Sequence, residues 1–468
     1  MAKPRIGVLA LARATFDVAY AERVAAGAFA VLDGMAVELV GPRDLLFDAA
    51  SIEAALPALR AAELDLLLIL QVTFTDATMT VAAANAVDAP LALWSFPEPR
   101  TGGRLRLNSL CGINLAGHAL GRAGRACAFL HRAADDAGDD LLAILAGGNG
   151  ATSSAAGPAG EAHEIQADAR AGAVLKRLAE SRIAVVGRHP DGFDTCRYDP
   201  AAMKALCGTE VTGIALDEVF AAADAVPDDT TATIRGNVAA RITGMAAMEP
   251  APLDGTLKVY AALKTIARDR GIAGFAVRCW PEFFTEHGCA ACGAMSLLND
   301  DMTPCGCEAD VYGTLTTLAL QATALEPAFI ADLVDIDRAG DTGVFWHCGL
   351  APLAMADPAF APRAAVHSNR KKPLLMEFPL KPGRVTIARF SQARGRTQLM
   401  IGGAEMLSAP LAFSGTAGVV RFDRPAGAVL DTIMAEGLEH HYSLVYGDHR
   451  ATLRALAARL DIPVLALC

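Results

Sequence analysis

The chain has 468 residues, 53 % hydrophobic and 20 % charged, with a formal net charge of −11. At ordinary domain sizes this length implies roughly two to four domains, with ample apolar material for buried cores. An acidic surface excludes broad contact with a phosphate backbone, and no apolar run approaches the roughly 20 residues that span a bilayer. Neither nucleic acid nor a membrane is expected as a partner.

"RIGVLAL" near the N-terminus is too brief for a secretory leader and reads as a first strand, so a cytoplasmic protein is expected. "AVELV", "LDLLLIL", "PLALW" and "ACAFL" follow as short apolar runs. Between them lie amphipathic stretches such as "AYAERVAAGAFAVLDG" and "SIEAALPALRAAE". Continuous apolar strands alternating with helices predict a parallel sheet covered on both faces. No GxGxxG follows the first strand, so a dinucleotide site is not supported.

Gly147 to Ala162 is small and turn-rich and reads as a linker or exposed loop. A second α/β alternation then runs from the strand "RIAVVG" to the strands "AFIADL" and "GVFWHC". Beyond residue 350, "GRVTIARFSQARGRTQLMIGGAEML" alternates apolar and polar residues between Gly and Arg turns, which predicts antiparallel strands. The chain closes with a helix, "DHRATLRALAARL", and a buried strand, "IPVLAL". The fold class is therefore α/β: two Rossmann-like α/β domains with parallel sheets, 1–165 and 166–349, followed by a β-rich C-terminal domain, 350–468.

Eleven cysteines are scattered along the chain. Cys289, Cys292, Cys305 and Cys307 form a cluster that suggests structural zinc or an iron–sulfur centre. The single residue between the last two is tight for a zinc knuckle, and reduced core thiols are the favoured reading.

Four places set a ligand-type residue at the edge of an apolar element: Glu308 before a helix, Asp332 and His347 at strand ends, and the pair His440–His441. Each has a plainer reading. Glu308 suits a helix N-terminus, Asp332 a solvated turn, and His347 a packed core. Neighbours on a strand point to opposite faces, so His440 and His441 are not expected to share a pocket. Two carboxylates and neutral imidazoles make a plausible set for Mn²⁺ or another divalent ion.

From Gly288 to His347 the sequence resembles the L-fucose isomerase / L-arabinose isomerase superfamily. In that family a Glu before a helix is followed, one helix later, by an acidic residue ending a strand; here these are Glu308 and Asp332. The arabinose branch then has a His that maps to His347. "EHHYSLVYGDHRATLRALAARLDIPVLAL" is similar to the family's ending, in which the second His of a pair is the ligand, here His441.

The resemblance implies a metal-dependent aldose–ketose isomerase acting on a sugar or sugar derivative through a cis-enediol. Glu308 and Asp332 would be ligands and acid/base groups, His441 a ligand, His347 a ligand or close neighbour, and His440 a supporting residue. It also implies a homo-oligomer, a trimer or hexamer, with active sites near subunit interfaces. A neighbour's N-terminal domain would help close each pocket. Further substrate-binding candidates are His189, Trp280 and Glu282, and, for an anionic sugar, Arg370, Lys371 and Lys372. The alternatives are a non-catalytic sugar-binding protein, or an epimerase or lyase on the same scaffold.

Overall fold

The apolar runs of the N-terminal third pair in parallel because a helix separates each from the next, and all but the edge strand Glu38–Val40 are largely buried on both faces. A computed structural model describes residues 3–148 and 164–468. The first sheet runs Glu38–Val40, Arg5–Leu11, Leu66–Gln71, Leu91–Ser95, Ala128–His131, all parallel. Side-chain alternation sends Leu9, Leu11, Leu67 and Ile69 into one core and Val8, Ala10, Leu68 and Leu70 into another. Of the stretch read as a linker, residues 149–162 lie outside the described residues.

A second parallel sheet has the order Cys305–Gly306, Gly274–Val277, Arg182–Val186, Glu210–Ile214. The long helix Pro250–Arg270 precedes its strand Gly274–Val277.

The third sheet has nine strands and is mostly antiparallel. It includes Phe329–Asp337 and Thr342–His347, which the sequence reading placed in the second unit. The reason is the connection between them. Four residues cannot make the crossover that parallel neighbours require, so the two strands form a hairpin. The hairpin joins His441–Tyr446 on one side and Thr416–Phe422 on the other. "IPVLAL" also departs from its reading: the strand Val464–Ala466 lies at the sheet's end and is partly exposed.

Six of these strands close on themselves. In ring order they are Thr416–Phe422, Thr342–His347, Phe329–Asp337, His441–Tyr446, Gly383–Ser391 and Gln398–Met406. The last pairs back to the first through Ala404↔Phe422 and Met406↔Val420. At the opposite end of Thr416–Phe422, the strand Leu375–Pro379 takes that place, pairing at Thr416 and Ala417. The ring is thus sealed at one end and splayed at the other. His347, the start of His441–Tyr446 and the first half of Phe329–Asp337 all lie at the splayed end. Among the described residues, no helix is long and apolar enough to cross a membrane.

Candidate active site

Glu308 lies in a single 3₁₀ turn, Cys307–Ala309, that follows the short strand Cys305–Gly306. Its φ is +56° and that of Ala309 is also +56°. Non-glycine residues rarely occupy this left-handed region, and such backbone is characteristic of functional sites. The turn separates two jobs that the sequence reading gave to one residue. Asp310, not Glu308, caps the helix Val311–Ala324, accepting from the Gly313 N–H at 2.8 Å. Glu308 turns toward a cavity instead, where it accepts from Trp280 Nε1 at 3.2 Å and from His440 Nε2 at 3.0 Å.

Asp332 is neither at a strand end nor in a solvated turn. It is a buried residue inside Phe329–Asp337, and its direct cross-strand partner is His441. Directly opposed residues share a face of the sheet, which brings His441 Nε2 to 3.4 Å from Asp332 Oδ1 and 3.8 Å from Glu308 Oε2.

His440 contradicts the opposite-faces expectation. The strand begins only at His441, so His440 sits in the preceding bend and is free of strand alternation. It folds back until the two imidazoles stack at 3.9 Å, and both meet Glu308.

Beneath His441 lies a residue that the sequence reading passed over. His441 Nδ1 is 2.9 Å from Asp310 Oδ2, and Asp310 is ion-paired with the fully buried Arg389. Arg389 also donates to the Thr195 carbonyl at 3.1 Å. A Cβ on Gly313 would lie 2.5 Å from Asp310 Oδ2 and 2.9 Å from Arg389 Nη1, so only glycine lets the helix start this close to the pair. The signal was present in sequence: Asp310 directly precedes an apolar helical run, the usual position of an N-cap.

Hydrogen bonding assigns the neutral tautomers of the three histidines. His441 donates from Nδ1 to Asp310, which leaves a lone pair on Nε2. His440 donates from Nε2 to Glu308. His347 Nδ1 accepts from the Cys348 N–H at 2.8 Å, so its Nε2 carries the proton, and that atom has no partner among the described residues. His440 keeps a lone pair on Nδ1, which has no partner among the described residues, while that of His441 faces Asp332 Oδ1, which also has no hydrogen-bond partner among them.

Lone pairs facing one another across 3.4 Å repel unless a proton or a cation lies between them. Two carboxylates and one imidazole form a donor set suited to a hard or borderline divalent ion. The carboxylate beneath the histidine is the support that metal-binding histidines usually have. The residues fit a metal, and His347 brings a ring nitrogen within 4.8 Å of ligand atoms of Asp332 and His441.

The two carboxylates are pushed apart electrostatically. Burial pushes Asp332 up to about 7, with His441 opposing the rise and Glu308 adding to it. Burial acts on Glu308 too, but the hydrogen bond from His440, the electrostatic pull of the two neighbouring imidazoles and the Trp280 donor outweigh it and hold Glu308 below its ordinary value. A cation entering here must displace the Asp332 proton. Apparent affinity for Mn²⁺ is therefore expected to fall as pH drops below about 7 and to level off above it. Calorimetric titrations between pH 6 and 8 check this, and an affinity independent of pH would be the contrary result.

Of the remaining candidates, Trp280 and Arg370 line the cavity with Glu308, Asp332, His347 and His440. Lys371 is exposed and Lys372 faces Glu249 at 3.9 Å, both off the lining. Glu282 is ion-paired with Arg278 at 2.8 Å, and Arg278 also reaches the His189 carbonyl at 3.4 Å, so these two candidates sit together outside the cavity wall. The cysteine cluster divides: Cys307 lies 2.8 Å from Cys279, and Cys292 lies 3.2 Å from Cys348. Burial pushes Cys305 and Cys307 well up, which keeps them thiols. The sequence reading missed Arg13, Phe74 and Asn108, which line the cavity from the N-terminal unit of the same chain.

A family model for the N-terminal domain of fucose/sulfoquinovose isomerase matches residues 7–142. A protein of Clostridium sp. (strain MSTE9) named sulfoquinovose isomerase is 30 % identical over 468 residues, covering 99 % of each chain. The chain belongs to the fucose/sulfoquinovose isomerase family. Another family member of that name, from Alkalicoccus urumqiensis, is 29 % identical over 397 residues, 84 % of each chain. A third, from Priestia megaterium (strain ATCC 12872 / QMB1551), is 28 % identical over 459 residues, 97 % of this chain and 96 % of the other. The matched N-terminal domain of this family corresponds here to the first parallel sheet with its helices.

Proposed function

We propose that this chain is an aldose–ketose isomerase acting on sulfoquinovose, a sulfonated aldohexose, with a divalent ion such as Mn²⁺ held by Glu308, Asp332 and His441. The observation that carries this reading is the convergence of two carboxylates that line one cavity with the buried His441 imidazole, drawn from three separate elements. The names of relatives aligned over nearly the whole chain support the substrate.

A bound ion would polarise the carbonyl of the open-chain sugar and acidify the adjacent C–H. Glu308, held ionised by His440 and Trp280, is suited to take that proton, leaving a cis-enediol. Return of the proton to the neighbouring carbon, by Glu308 or by Asp332, together with passage of the O2 hydroxyl proton to O1, gives the ketose. The Nε2–H of His347 is suited to donate to a substrate oxygen. Asn108 and Asn369 also line the cavity, and the side-chain oxygen of each is without a partner among the described residues, a lining that suits a polyhydroxylated ligand. Arg13, Phe74 and Asn108 mean that this chain's own N-terminal unit walls the cavity. A homo-oligomer, trimer or hexamer, remains part of the proposal and is read by light scattering; a monomer with full activity would remove it.

The test is product analysis. Protein reconstituted with Mn²⁺ is expected to convert sulfoquinovose to the corresponding ketose and to lose that activity in a chelator. Recovery of only epimers or cleaved fragments would point to an epimerase or lyase. Activity that survives full metal removal would refute the metal role.

A further inference from the structure

Two guanidiniums pack on the indole of Trp280, the residue whose Nε1 donates to Glu308. Arg13 lies 5.8 Å from the ring centroid and Arg370 lies 5.2 Å from it. Arg13 also stacks on Phe74 at 5.5 Å, and Arg370 on Phe284 at 5.9 Å. Like charges gathered on one aromatic platform repel, so the arrangement is unfavourable unless anions balance it. Arg13 has its anion, Asp76, at 2.6 Å. The guanidinium of Arg370 has neither a carboxylate nor a hydrogen-bond acceptor among the described residues, although it is part-buried. Burial, together with Arg13, draws its pKa below the usual guanidinium value, the response of a cation short of an anion.

We propose that Arg370, seconded by Arg13, is the subsite for a singly charged sulfonate at the far end of the substrate. The charge count selects the group. Two cations and one carboxylate leave one unmatched positive charge. A sulfonate carries one negative charge at every physiological pH and offers three acceptor oxygens to the guanidinium fork. A phosphate monoester carries close to two charges, and the second would stand unbalanced near Glu308 and Asp332. The geometry agrees. Arg370 lies over the ring face of the same indole whose Nε1 donates to Glu308, so one side chain links the guanidinium to the carboxylate. This assignment rests on the isomerase reading for the substrate's orientation, but the charge count stands without it.

The experiment compares wild type, Arg370→Gln and Arg370→Lys with three ligands: sulfoquinovose, its uncharged 6-deoxy analogue quinovose, and glucose 6-phosphate. Both turnover and equilibrium binding by calorimetry are read. Wild type is expected to bind sulfoquinovose more tightly than either comparator. In Arg370→Gln the preference for sulfoquinovose over quinovose is expected to fall by about 10- to 100-fold, the loss of one charge-assisted pair. Arg370→Lys, which keeps the charge and loses the fork, should fall between, and thermal melting confirms that both variants fold.

An equal loss for quinovose and sulfoquinovose, an unchanged preference, or tighter binding of glucose 6-phosphate would overturn the subsite. If wild type isomerises none of the sugars, yet its preference for sulfoquinovose over quinovose disappears in Arg370→Gln, the isomerase reading fails and the subsite stands.

Discussion

Glu308→Gln and Asp332→Asn are each expected to lower kcat on sulfoquinovose by about 10²- to 10⁴-fold, the usual worth of a positioned acid or base. Loss of a proposed metal ligand adds to this at both positions. Asp332→Asn should not weaken the metal-free protein, whereas Glu308→Gln loses the ionised acceptor that His440 and Trp280 hydrogen-bond. Asp332 sits beside Glu308 and is raised to about 7 by burial, so an uncharged amide there removes a cost and the thermal midpoint should stay or rise. That pairing of lost activity with retained stability separates a chemical role from a packing role. Both variants therefore need melting curves and metal content alongside kinetics. Near-wild-type turnover in either variant would exclude that carboxylate from the reaction.

Asp310→Asn is expected to do the reverse first, striking stability. Asp310 and Arg389 are a buried pair, and removing one partner of such a pair typically costs about 3–5 kcal/mol because the other charge is left unmatched. Arg389 has no surface to retreat to, being 2 % exposed. Burial raises Asp310, but the charge of Arg389 and the hydrogen bond from His441 win and hold it well below the carboxylate range.

A folded-state pKa below the unfolded value means that this stabilisation is complete above the unfolded pKa of about 4 and fades as pH falls further. The variant should therefore melt well below wild type at pH 7, with the gap narrowing in acid. Through His441 it should also weaken metal binding by about 10- to 100-fold. A variant with wild-type melting at pH 7 would show that the pair contributes nothing net.

Much of the fold is legible in the sequence because hydrophobic period is a local property. The runs "LDLLLIL" and "RIAVVG" announce buried parallel strands, and "GRVTIARFSQARGRTQLMIGG" announces a hairpin. Sheet membership is less legible, since it depends on which strand lies alongside. Only the four-residue connection after Asp337 signals that the hairpin belongs to the third sheet. In the site, Glu308, Asp332 and His441 are reachable through family resemblance, and the structure brings all three together. A supporting role for His440 follows from the resemblance, but its place in the pocket is missed because strand alternation is applied one residue too early. Arg13 and Asn108 carry no local mark at all, since they meet the cavity across more than a hundred residues of chain.

The ring of six strands has a consequence for how substrate range can change. The Asp332–His441 separation is fixed by hydrogen-bond register between adjacent strands of a ring that closes on itself, so neither strand can slide without breaking pairings on both sides. Arg370 and Arg13 lie outside that ring, one in the loop before Leu375–Pro379 and one just after the first strand of the N-terminal unit. Under the proposed function, the reactive end of the pocket is thus built like a chassis and the discriminating end like a fitting. Exchange of a few loop residues can present a different sugar to the same acid, base and imidazole. Transplanting only the segment around Arg370 into a relative that handles neutral sugars is accordingly the most economical route to an enzyme that takes charged ones.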